Sequence, residues 1–123
     1  MQGWLPKAQP LSVHEVLQWC KGGSSPERLD EVALDFPELR IVAGHIGHPW
    51  TEEMIAMSWK HPNVYIGCDA HSPRYWPASF VHYINSYGQD KAMFGTDFPV
   101  LQFERTRAEV EGLNLRPGPL RKF

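Results

Sequence analysis

Three short apolar runs, Ile41-Val42-Ala43, Val64-Tyr65-Ile66 and Ala92-Met93-Phe94, constrain the fold of this chain more than any other feature. Their centres lie near Ile41, Ile66 and Met93, about 25 and then 27 residues apart, and an amphipathic stretch fills each gap. Two strands that run parallel in one sheet need a crossover of about a dozen residues or more, usually a helix. The spacing therefore predicts repeated β/α units with parallel strands. The runs show no strict apolar–polar alternation, which is the pattern of strands covered on both faces.

The intervening stretches carry helix signals. Ser25-Pro26 reads as an N-cap followed by proline at the first helical position, and Leu29, Val32, Ala33 and Phe36 then recur on one face. Pro37 ends that helix, because the residue before a proline avoids the α region. The first strand is expected over 39–43. Thr51 reads as the cap of a second helix, with Glu52 and Glu53 suited to its positive end and Ile55 and Trp59 sharing a face, before His61-Pro62 closes it. Phe80, Tyr83, Ile84 and Tyr87 form a third apolar stripe with Gly88 as its C-cap, and a fourth helix is expected over 103–113. Residues 1–24 differ. Pro6, Pro10, Gly22 and Gly23 bracket a weak helical run over 13–19, and the segment reads as an atypical lead-in or linker before a unit spanning 25–123.

Composition bounds the function. A chain of 123 residues suffices for one domain with a real core. The net charge is -2 with acids and bases mixed, so no basic face marks a nucleic-acid binder. No stretch approaches the roughly 20 apolar residues of a membrane span, and the N-terminus lacks a signal-peptide core. Cys20 and Cys68 form no C-x-x-C pair; a buried reduced thiol is expected at Cys68, which favours the cytoplasm.

Chemistry is expected where strands open into loops. The first strand runs into Gly44-His45-Ile46-Gly47-His48, and the third into Gly95-Thr96-Asp97-Phe98-Pro99. In an α/β barrel the carboxyl ends of the strands carry the catalytic residues. Imidazole nitrogen and carboxylate oxygen suit a hard or borderline divalent cation, and histidine also moves protons near neutral pH. Asp97 also suits a turn before Phe98-Pro99, though its strand-exit setting favours the functional reading, and His48 and His71 suit a pocket wall or the surface.

Several motifs follow one another in order: Leu34-Asp35-Phe36-Pro37-Glu38-Leu39, Gly44-His45-Ile46-Gly47 with Pro49-Trp50, Lys60-His61-Pro62-Asn63-Val64-Tyr65, and Phe94-Gly95-Thr96-Asp97-Phe98-Pro99. Over roughly residues 26–120 the chain resembles the C-terminal part of the amidohydrolase-related family. That family includes metal-dependent hydrolases and non-oxidative decarboxylases similar to aminocarboxymuconate semialdehyde decarboxylase. The resemblance implies an α/β fold that is a partial (β/α)8 TIM-type barrel, holding its last three β/α units. It implies Asp97 as a metal ligand and His45 as the catalytic residue acting on the substrate or the attacking water. His48, Trp50 and His71 are then the candidates for substrate contact. The expected metal is zinc, with manganese as the alternative, and the expected substrate a small carboxylated or cyclic organic molecule.

The resemblance also marks departures. The family's remaining ligands, a His-x-His pair on the first strand and a histidine after the fifth, have no counterpart here; His14 lies outside any strand pattern. His48 stands where some decarboxylases carry glutamate, and Gly67-Cys68-Asp69 stands where relatives carry Asp-Thr-Ser. The chain stops where relatives continue through a final helix. It is therefore expected to hold an incomplete metal site and to bind well under one equivalent alone. An inactive fragment, or a split-barrel half that self-associates or needs the missing N-terminal half as partner, is the competing expectation.

Overall fold

The computed structural model describes residues 26–123. The expectations for Ser25, Cys20, His14 and the lead-in over 1–24 lie outside the described residues.

Helix α1 (Pro26–Asp35) opens on a proline, whose missing N–H is one that a helix start leaves unpaired anyway. It buries Leu29 and Ala33 and stops ahead of Pro37. Strand β1 (Ile41–Ala43) follows, shorter than the expected 39–43. Helix α2 (Thr51–Lys60) leads to β2 (Val64–Cys68), helix α3 (Ala78–Ile84) to β3 (Ala92–Phe94), and α4 (Phe103–Glu111) and α5 (Pro117–Lys122) complete the order. The strands form one open parallel sheet in the order β1-β2-β3. Ile41 and Ala43 pair with Val64 and Ile66, and Ile66 and Cys68 pair with Ala92 and Phe94. The expected α/β units are the ones observed.

Period-two geometry sorts the strand residues. Ile41, Ala43, Val64, Ile66, Cys68 and Ala92 are buried, in one core with Leu29 and Ala33 of α1, Met54 and Ile55 of α2, Phe80, Tyr83 and Ile84 of α3, and Val110 of α4. The alternate residues Val42, Tyr65 and Gly67 are half-buried, and Met93 is 40% exposed. The expectation of coverage on both faces therefore does not hold among the described residues. Cys68 is buried and free, and burial pushes its thiol pKa up, which makes it a packing residue.

Three helix details depart from the sequence pattern. Thr51 is the first residue of α2 and is buried, while Trp50 occupies the cap without a side-chain bond. The core face of α2 is Thr51, Met54, Ile55 and Ser58, which leaves Trp59 74% exposed; one i, i+4 pair was too little to fix the phase. Helix α3 ends at Ile84 with Asn85 as its cap, so Tyr87 and Gly88 lie beyond it. Gly88 packs so tightly that a Cβ there would sit 2.3 Å from the Tyr83 ring.

Polar groups tie the amino ends of the strands. The Lys91 ammonium donates to the carbonyls of His61, Pro62 and Val64 at 2.7, 3.0 and 2.7 Å, and lies over the Tyr65 ring. The Asn63 amide donates to the Phe36 and Leu39 carbonyls, fixing the α1–β1 connection. Asp30 accepts from Lys60 and pairs with the buried His61 ring, and these bonds hold its carboxyl below the usual range. His61 is thus a buried partner of α1 as well as the residue that ends α2. His82 on α3 is exposed.

Candidate active site

The opposite, carboxyl end of the sheet is built from short loops. His45 lies two residues after β1, Asp69 one residue after β2 and Asp97 three residues after β3. Because the strands are parallel and adjacent, all three loops open on the same edge. One donor atom from each of the three residues falls within 4.8 Å of the others.

The backbone is bent into place. His45 and Ile46 have φ of 56° and 53°, and Gly47 completes the left-handed turn at 75°. The turn closes through Gly47 N–H to the Gly44 carbonyl and His48 N–H to the His45 carbonyl. Asp97 is also left-handed, at φ 57°. Left-handed non-glycine residues cluster at functional sites because the surrounding structure must hold them there. Here the turn aims the His45 N–H at Asp69 Oδ1, 2.7 Å away.

Asp69 has room because glycines surround it. A Cβ on Gly67 would come within 3.3 Å of its Oδ1, and one on Gly95 within 3.2 Å of its Cβ. The side chain therefore lies across the ends of all three strands. His45 Nδ1 is 3.1 Å from Asp69 Oδ2 and 3.9 Å from Asp97 Oδ2. These atoms are close but out of line, so Nδ1 is shut off from solvent with no hydrogen-bond partner. An unpaired buried nitrogen facing two carboxylates is an unsatisfied arrangement unless a cation or a proton is shared among them. One nitrogen and two carboxylate oxygens are a donor set that fits a divalent metal.

The remaining candidates lie around this cluster. The His48 and His71 rings meet at 4.7 Å between centroids, tilted by 41°. Burial lowers the His71 pKa, with help from His48 and His45, so its imidazole is neutral at neutral pH. The His71 carbonyl accepts from the Trp76 indole at 2.9 Å. Trp50 is half-buried at the cap of α2, and no described hydrogen bond joins its indole to the cluster. Sequence reasoning named His45 and Asp97 but passed over Asp69, which appeared only as a departure from the family pattern. A signal was present: Asp69 stands at the exit of β2 as His45 and Asp97 stand at the exits of β1 and β3.

The sequence pattern of the amidohydrolase family matches residues 16–121. The chain belongs to the amidohydrolase family. Among solved structures this amidohydrolase chain is similar to an uncharacterized TIM-barrel protein from Bordetella bronchiseptica, with a TM-score of 0.73 and 29% identity. The match covers 86% of this chain and 37% of that one, so the chain spans little more than a third of that barrel. The three parallel β/α units are thus part of a TIM-type barrel, and their loops lie on the edge where TIM-barrel enzymes carry their catalytic residues. No curated protein matches the chain. Among the described residues no helix is long and apolar enough to cross a membrane.

Proposed function

We propose that this amidohydrolase chain contributes the last three β/α units to a metal-dependent hydrolase or non-oxidative decarboxylase acting on a small carboxylated or cyclic organic substrate. The observation that carries the reading is the convergence of His45, Asp69 and Asp97 within 4.8 Å, with His45 Nδ1 buried and unpaired. Asp97 and Asp69 would hold a zinc or manganese ion together with His45 or beside it. When bound, such an ion supplies Lewis acidity that polarises a substrate oxygen and makes hydroxide available near neutral pH.

The chain's own residues divide the other tasks. Asp69 fixes the His45 loop through its 2.7 Å bond to the backbone N–H, so the imidazole is presented in one orientation. His45 holds or delivers a proton at the reacting centre, the usual work of an imidazole with a carboxylate neighbour. His48 and His71 form an edge beside it suited to a carboxylate or a ring, and Trp50 would add apolar surface at the rim.

A metal-binding titration tests the reading. The isolated chain should carry well under one equivalent as purified, yet take up added zinc or manganese saturably at one site. Asp97→Asn and Asp69→Asn should each weaken uptake by about 10-fold or more. Stoichiometric binding that survives both substitutions would remove the cluster from the metal site.

A second reading has its own observation. Met93 and its neighbours leave the inner sheet face open, and β1 and β3 are each paired on one side only among the described residues. On that reading the chain is an inactive fragment or a split-barrel half, and activity appears only when a chain supplying the other strands is added.

A further inference from the structure

Glu109 lies on α4, the helix that follows the Asp97 loop, and its side chain is only 10% exposed. Its carboxylate collects an unusual number of donors. The Ser72 hydroxyl donates to Oε2. The Arg74 guanidinium donates to Oε1 through Nε at 3.0 Å and Nη2 at 2.7 Å, and Arg105 Nε reaches the same oxygen at 3.0 Å. The Arg74 backbone N–H also points at Oε2, at 3.5 Å.

Ser72 and Arg74 belong to the loop that leaves β2, the loop that carries Asp69 and His71. Its geometry is tight. His71 N–H bonds back to the Asp69 carbonyl at 2.7 Å, and Ala70 between them is left-handed at φ 62°. Two side chains anchor this turn and the residues just after it, one from within the loop and one from outside. The Trp76 indole supplies one anchor on the His71 carbonyl. Glu109 supplies the other, and it ties the β2 exit directly to the helix behind the β3 exit.

We propose that Glu109 is a positioning residue: by clamping Ser72 and Arg74 it holds Asp69 against the His45 backbone and opposite Asp97. The proposal rests on the metal-site reading for its catalytic meaning, while the clamp itself can be tested without metal. Arg105 steers the carboxylate from the same helix at i, i+4, whereas the neighbouring Arg107–Glu111 pair on α4 is exposed, and its 3.1 Å bond also spans i, i+4. Glu111 is therefore the internal control.

The test compares wild type, E109A, E109Q and E111Q by backbone amide NMR without metal and by cobalt(II) titration followed in visible absorption. E109A should shift the amides of His45, Asp69 and His71, positions beyond the Ser72, Arg74 and Arg105 groups that bond Glu109. E109Q, which keeps an acceptor for Ser72, should shift them less, and E111Q should leave them in place. E109A should weaken cobalt binding by about 10-fold and alter its absorption bands, with E109Q intermediate. If shifts in E109A and E109Q stop at Ser72–Tyr75 and α4, with the His45 and Asp69 amides unmoved, the clamp positions nothing and the proposal fails. If wild type binds no cobalt, the metal reading falls, and the clamp is then judged on the amide shifts alone.

Discussion

Glu109 illustrates how one carboxylate can report on a site it does not touch. The Ser72 hydroxyl, with Arg74 and Arg105, holds its pKa down to about 2 from an ordinary 4.5. A carboxyl whose folded pKa is depressed adds stability above its unfolded value, and that stability is lost as the pH falls through the folded value. The wild-type advantage over E109Q in thermal unfolding should therefore be full above about pH 5 and shrink toward about pH 2. A gap between the two melting curves that stays constant over that range would mean the charge contributes nothing. Residues of this kind are hard to read in a sequence. Glu109 sits in a charged helical stretch, Glu104-Arg105-Thr106-Arg107-Ala108-Glu109, where i, i+4 pairing is the ordinary expectation. Its partners Ser72 and Arg74 come from 37 and 35 positions away. His45 and Asp97 were legible because glycine-flanked motifs mark strand exits. Asp69 carried the weaker signal of its place at the β2 exit, and the space for its side chain, left by Gly67 and by Gly95 beyond β3, shows only in the fold.

The element that does most for the site is the left-handed turn His45–Gly47. Ile46 is β-branched and buried at φ 53°, a conformation that costs about 1–3 kcal/mol and persists only under tertiary constraint. Gly47 is the one position of that turn where the sequence relaxes the constraint. A Cβ there would meet Met54 Cβ at 2.6 Å, on top of the left-handed backbone. Gly47→Ala should cost at least about 1–2 kcal/mol from the backbone alone, more with the contact, measured as a lower urea midpoint. An unchanged midpoint would mean the turn yields freely and does not fix His45. The α2–α3 packing offers a separate check. Ser58 Oγ donates to the Val64 carbonyl at 3.2 Å, which uses its only proton, so the Tyr83 hydroxyl donates to Ser58 at 2.6 Å. Ser58→Ala strands that hydroxyl in the core and should cost about 1–3 kcal/mol, partly recovered in the double variant with Tyr83→Phe. Equal losses in the single and double variants would mean that the Tyr83 hydroxyl is not stranded when Ser58 is lost. The strands and their order followed from the apolar runs and their spacing. The phase of α2 did not, since Trp59 looks like a core residue by type and only packing of Met54 and Ser58 against the sheet rotates it outward.

At the scale of the whole molecule, the described residues cover the sheet with helices on one side and leave it open on the other. Tyr65 and Met93 lie on the open side, and Phe98 and Val100 stand exposed just beyond β3. Exposed apolar surface beside one-sided strands invites pairing between chains. We expect sedimentation velocity to show concentration-dependent self-association, and Met93→Lys to reduce it. A strict monomer at every concentration would show that this face is content in water. The parallel β/α units were legible from the repeat spacing, and the barrel type from the family resemblance that the ordered motifs carry. The open face was not, because apolar strands read as doubly covered whether or not their covering strands belong to the same chain.

The ammonium of Lys91 gathers three main-chain oxygens at one pole of the sheet, while the imidazole and its two acidic neighbours occupy the other. Such polarity separates upkeep from innovation. Loop sequences at the carboxyl edge can change, by insertion or exchange, without loosening the knot that keeps the strands in step.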